Sequence, residues 1–138
     1  MSDTQDGPEI HPTTRELASG RNFAVISTLL PSGRIQSQYI WVGVDGDRLY
    51  VNTETHRRKF QNLEQDARVT LAIRDEQDPY RYAEVRGQVV GTETGQAARD
   101  QIDELSQKYE GHPYPPEQIK TERVTVWIEP ERQTISGG

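Results

Sequence analysis

The chain contains no cysteine. That excludes disulfides, thiol nucleophiles, thiolate metal sites and cysteine-ligated clusters, and it suits a reducing compartment. Long apolar runs are missing too: none approaches the length of a membrane span, so no membrane partner is expected. Met1 to Pro12 is polar and acidic and has no hydrophobic signal core. It is expected to be a disordered arm, and the protein to be cytoplasmic. The three histidines, His11, His56 and His112, lie far apart. With no pair at metal-ligand spacing, no metal site is expected. There is no Gly-x-Ser-x-Gly elbow, no GxGxxG and no Walker loop. These absences exclude the usual nucleophile and nucleotide fingerprints, but not nucleotide binding as such. Nor is there an excess of basic charge: the formal net charge is -6. Nucleic acid is therefore not an expected partner, because phosphate neutralisation supplies most of that affinity. Any anion must be held by a local basic cluster. Lysine is scarce, 3 against 13 arginines, so each one stands out.

What the chain does have fits a single domain over residues 13–138, large enough to bury one core. Pro12 and Gly20 bracket a short helix over Thr13 to Ser19. Phe23 to Leu29 reads as a strand, and Pro31-Ser32-Gly33 as a turn. Arg34 to Val44 reads as a second strand. Asp45-Gly46 is a hairpin signal leading to a third over Arg48 to Asn52. A helix is predicted over Thr55 to Asp66, with Asn52 or Thr53 as its cap and Phe60 and Leu63 as its apolar edge. Arg68 to Arg74 alternates as a fourth strand, and Tyr80 to Val90 makes a fifth with a possible bulge at Gly87. Gly95 to Tyr109 carries Ala98, Ile102, Leu105 and Tyr109 on one helical stripe. After a Pro-rich loop, Arg123 to Ile128 is the last strand, closed by Pro130. Six short, mostly alternating strands joined by tight turns favour antiparallel pairing and closure into a barrel.

The most informative segment is Val51 to Leu63. A strand ends and a helix begins, and the helix start carries Arg57, Arg58 and Lys59. Cations are disfavoured at the positive end of a helix dipole unless an anion such as phosphate sits there. Long helical side chains lean toward the N-terminus, so Arg57 and Lys59 can reach one anion together, with His56 beside them. The alternative is a solvated basic face, and Glu54 adds like charge near the anion. The strand Gln36 to Trp41 offers polar and aromatic groups with backbone amides, a wall that suits a flat heterocycle. Trp41 itself reads as a core or interface aromatic. Glu84 and Arg86 suit cross-strand pairing rather than catalysis.

Four segments carry a family resemblance: Gly33-Arg34-Ile35-Gln36 leading to Trp41; Val51-Asn52-Thr53 with Arg57-x-Lys59-x-x-Asn62-Leu63 and Asp66-x-Arg68-Val69; Asp78-Pro79-Tyr80-Arg81-Tyr82-x-Glu84-Val85-Arg86-Gly87; and Ile102-Asp103-x-Leu105 through Lys108-Tyr109-x-Gly111 to Tyr114-Pro115. With them the chain resembles the split β-barrel flavin and deazaflavin oxidoreductases of the pyridoxamine 5'-phosphate oxidase superfamily, closest to the branch that uses coenzyme F420. The resemblance implies a mostly β fold with flanking helices, a six-stranded antiparallel split barrel. It implies a homodimer with cofactor at the interface. Arg57 and Lys59 would hold the cofactor phosphate, with His56 within reach. Asn52 and Thr53 would sit beside the ribityl chain, and Gln36, Ser37, Gln38, Tyr39 and Ile40 would line the ring. Asn62 would support the helix. Ile35 and Tyr39 stand where relatives often carry proline, and Ala67 replaces another. The implied activity is hydride transfer from reduced F420 to a small electron-poor organic substrate. The alternatives are an FMN-binding oxidase or reductase and a non-catalytic cofactor-binding protein. No catalytic acid or base is assigned.

Overall fold

The computed structural model describes residues 2–137. Over these residues the chain forms one antiparallel sheet of eight strands and three α-helices. The elements are β1 (Ser2–Asp6), α1 (Pro12–Ser19), β2 (Ala24–Leu29), β3 (Ile35–Ile40), β4 (Gly43–Asp45), β5 (Arg48–Glu54), α2 (Arg58–Gln65), β6 (Arg68–Arg74), β7 (Tyr82–Glu93), α3 (Gly95–Glu110) and β8 (Arg123–Ser136). The strands pair in the order β3-β2-β6-β7-β8-β5-β4, and β1 pairs with β8. The two ends of that order, β3 and β4, are separated in the chain only by Trp41 and Val42. The sheet therefore curls until its ends share this corner, which gives the split-barrel arrangement.

The corner is fastened from outside by the end of α3. Lys108 Nζ donates to the carbonyls of Val42 (2.6 Å) and Ala18 (2.7 Å). The Tyr109 hydroxyl donates to the Asn22 carbonyl (2.6 Å) and accepts from the Val42 amide (3.2 Å). Burial pulls the Lys108 ammonium down to about 8 and, as its largest cause, pushes the Tyr109 phenol up to about 12. Inside, Ile26, Leu49, Val51, Leu71, Ile73, Val85, Val126 and Ile128 fill the barrel, at alternate positions along their strands as a half-buried strand requires.

Three sequence expectations need correction. Eight strands form rather than six. Arg34 to Val44 does not run as one strand but breaks at the corner. The arm predicted to be disordered is ordered over its described part: Ser2–Asp6 pairs with Asp6↔Arg132 through Ser2↔Ser136. Its polar sequence hid it because backbone hydrogen bonds, not apolar alternation, hold it in place. Beyond it, the buried side chain of Gln133 donates to the Glu9 carbonyl (2.7 Å) and accepts from the His11 amide (3.0 Å). The last strand also continues past Pro130. That residue sits opposite Gly87 at a register shift, where a missing N–H is tolerated. The bulge expected at Gly87 is present, and a Cβ there would collide with the Glu129 carbonyl.

Candidate functional site

The groove that gathers the predicted residues lies where α2, β3 and the starts of the corner and of β8 converge. It has a volume of about 570 Å³. Its construction follows from two periodicities. On α2, Lys59 and Asn62 are one turn apart and face one way. On β3, Gln36 and Gln38 share one face. The pairs meet: Lys59 Nζ donates to Gln38 Oε1 (3.1 Å) and Asn62 Nδ2 to Gln36 Oε1 (3.2 Å). Asn62, fully buried, also donates to Thr28 Oγ1 (3.0 Å), so it ties the helix to the sheet. Phe60 and Leu63 bury the other edge of the helix.

Three cations line the groove: Arg57, Lys59 and Arg123. Among the described residues no carboxylate lies within salt-bridge distance of any of them. Burial lowers the Lys59 pKa, and Arg57 and Arg123 add to the effect by like-charge repulsion. The helix begins at Arg58, three residues later than expected, with Arg57 as its N-cap and no side-chain cap bond. Asn52 and Thr53 do not cap it, because β5 continues through Glu54 and keeps both in the sheet. The first-turn amides are thus left without a side-chain acceptor.

Glu54 is not at the mouth of this groove. It is 2 % exposed, and its carboxylate accepts from the amides of Lys120 and Thr121, pinning the loop before β8. Burial alone would raise its pKa. The Thr121 and Lys120 amides, with Arg123 and His56 nearby, bring it net below the usual glutamate value.

The rest of the lining is rich in aromatic rings. Trp41 stacks on Tyr109 (centroids 5.3 Å apart, planes 4° apart) and meets Tyr114 edge-on at 6.3 Å. Phe23 tilts against Tyr109 at 5.4 Å. Phe23, Tyr39, Trp41 and Tyr114 all reach the groove. Tyr39 stands on the rim, 80 % exposed.

Of the ten residues predicted from sequence, Gln38, Tyr39, Ile40, Asn52, Thr53, Arg57 and Lys59 line the groove and three do not. Gln36 is engaged with Asn62. Ser37 points to the other side of β3, where its hydroxyl meets that of Ser27 at 2.8 Å. His56 turns to Thr121 Oγ1 (2.7 Å) and lies 3.8 Å from Glu54, away from the cations. Asn52 has its amide occupied by protein: Nδ2 donates to Ala98 O (2.9 Å) and Thr125 Oγ1 (3.0 Å), and Oδ1 accepts from Arg123 Nε (2.9 Å). It positions Arg123. Sequence reasoning missed Arg123, Trp41, Tyr114, Phe23 and Ile102. Arg123 had one signal, a charged residue opening an otherwise apolar strand.

The fold is shared with known proteins. The family profile of pyridoxamine 5'-phosphate oxidase matches residues 10–135. A solved structure described as an F420 reductase is 27% identical, with a TM-score of 0.77, over 86% of this chain and 94% of that one. A conserved hypothetical protein of Mycobacterium tuberculosis shares the fold at 20% identity and TM-score 0.68, over 96% and 89% of the two chains. So does an FMN-binding, pyridoxamine 5'-phosphate oxidase-related protein of Nostoc punctiforme, at 14% identity and TM-score 0.65, over 90% and 83%. No curated protein matches. With a profile that spans nearly the whole domain and a fold shared along almost the full length of these structures, this chain belongs to the pyridoxamine 5'-phosphate oxidase family.

Proposed function

We propose that the protein is an oxidoreductase that uses coenzyme F420, passing a hydride from the reduced deazaflavin to a small electron-poor organic substrate. The observation that carries this reading is the groove itself: three cations with no carboxylate in salt-bridge distance, a cluster of aromatic rings and the edge of β3 all line one cleft. A phosphate-bearing, flat-ringed cofactor calls for that same combination of charge and ring. The residues present fit such a group. The F420 reductase, at 27% identity over 94% of its length, supports the choice of deazaflavin.

When bound, the cofactor supplies the hydride chemistry. The chain supplies the rest. Arg57 and Lys59 hold the phosphate, the first as a fork and the second as a point charge. Gln38, Tyr39 and Ile40 border the ring. Phe23, Trp41 and Tyr114 exclude water and present an apolar wall that holds a substrate in register. Thr53, buried near the end of β5, lines the same groove as the cations. The working form we propose is a homodimer. β3 is an end strand whose Ile35 and Tyr39 are 70% and 80% exposed, and a second copy would cover them.

The test is titration of the purified protein with F420 and with FMN, followed by oxidation of the reduced cofactor against quinones, nitroaromatics and enones. Tight F420 binding with turnover supports the reading. A yellow flavin retained through purification favours an FMN enzyme instead. Tight binding without turnover on any acceptor favours a non-catalytic cofactor-binding protein.

A further inference from the structure

We infer that Arg123 is a third anion-holding residue of the groove, set to bind a phosphate-type oxyanion together with Arg57 and Lys59. Arg123 is 66 residues from Arg57 in the chain and belongs to a different element, so the α2 segment alone does not define the site.

Arg123 opens β8 and is only 7% exposed, an unusual position for a guanidinium without a carboxylate partner. Its Nε is fixed by Asn52 Oδ1 at 2.9 Å, and its guanidinium carbon lies 5.1 Å from the Tyr114 ring centroid. These contacts orient the fork but do not neutralise it. Glu54 stands directly opposite in register, yet its carboxylate is turned onto the Lys120 and Thr121 amides. Arg57 and Lys59 approach from α2 and share the same groove. A buried cation with two like charges beside it and no carboxylate within salt-bridge distance, Glu54 acting on it only from farther off, is costly to leave so weakly matched. The cost is offset if an anion binds. A phosphate has enough charge and enough acceptor oxygens to engage all three groups at once, and two arginine forks favour its geometry. Asn52, whose amide is fully occupied by protein, then acts as the positioning residue for Arg123.

The inference takes its ligand class from the cofactor reading, but inorganic phosphate tests it without any cofactor. Thermal unfolding of the full chain in phosphate, against chloride of equal ionic strength, should show protection of the wild type. Arg123→Gln should weaken the apparent phosphate affinity about tenfold or more, and Arg123→Lys should recover part of it. Equal protection of Arg123→Gln and wild type overturns the inference, as does absence of phosphate protection in the wild type. If Arg123→Gln does not fold, the guanidinium NMR signal of Arg123 in the wild-type protein decides. Its movement on addition of phosphate supports the assignment, and an unmoved signal overturns it. Failure of F420 and FMN to bind while Arg123-dependent phosphate binding persists would defeat the proposed function and leave this inference standing.

Discussion

Two groups of cationic side chains on this molecule look alike in sequence and differ in structure. At the start of β6 and around the β6–β7 turn each cation has its carboxylate. Arg68 reaches Asp66 at 2.7 Å, and Arg81 bridges Glu16 at 2.8 Å and Asp75 at 3.1 Å. Around the groove, Arg57, Lys59 and Arg123 have none among the described residues, although two of the three are partly or wholly buried. The paired group describes how the chain holds itself together. The unpaired group is what the proposed cofactor phosphate would engage. In a protein with net charge -6 there is no general shortage of carboxylates, so a groove that gathers three cations with none in salt-bridge distance is informative.

The comparison can be broken most forcefully by removing the unpaired group. Arg57→Ala with Lys59→Ala deletes two charge-assisted contacts of about 1.5–3 kcal/mol each, so cofactor affinity should fall about 100-fold or more. A fluorescence titration measures this, and unchanged affinity would sink the assignment. Next in size is a substitution at the corner. Tyr109→Phe keeps the stack on Trp41 but removes the hydroxyl from Asn22 and Val42. The chain should lose about 1–3 kcal/mol in a urea unfolding experiment, with a much smaller change in cofactor binding.

A smaller effect separates Glu54 from the site. Its folded pKa is depressed, so its contribution to stability is complete above the unfolded glutamate pKa and is lost as pH falls through the lower folded value. Glu54→Gln should therefore flatten the stability profile on the acid side of the usual glutamate range, measured as urea midpoint against pH. Lys59 sharpens the comparison from the alkaline side. Its pKa is lowered, chiefly by burial, so cofactor affinity should decline with rising pH sooner than an ordinary lysine would allow. Lys59→Arg should remove that decline, since arginine stays charged. The smallest effect belongs to the paired group: Arg68→Ala should leave cofactor affinity unchanged, because Arg68 is exposed and its charge is answered by Asp66.

How much of this was legible in the sequence depends on range. β6 runs from Arg68 to Arg74, as its alternation of Val69, Leu71 and Ile73 predicted. α3 was legible from its stripe and its Gly111 stop, which adopts the left-handed conformation at φ 83. The cation pair of α2 was legible: that Arg57 and Lys59 face one groove follows from their spacing. Arg123 does not, because only the pairing of β5 with β8 brings it beside them. Glu54 was misread for the same reason. Its proper partners, the Lys120 and Thr121 amides, are remote in sequence. His56 followed Glu54 away from the groove. β1 was illegible because its order comes from backbone pairing to a strand that continues past Pro130.

The central claim is that the unanswered cations exist to hold a cofactor phosphate. The most direct measurement is the ratio of dissociation constants for F420 and for the same deazaflavin riboside lacking its phosphate, in the wild type and in Arg57→Ala/Lys59→Ala. If these cations hold the phosphate, the wild type should prefer the phosphorylated form about 100-fold or more, and the preference should collapse to within a few fold in the variant. Equal affinity for the two forms in the wild type, or a preference that survives the double substitution, would contradict it.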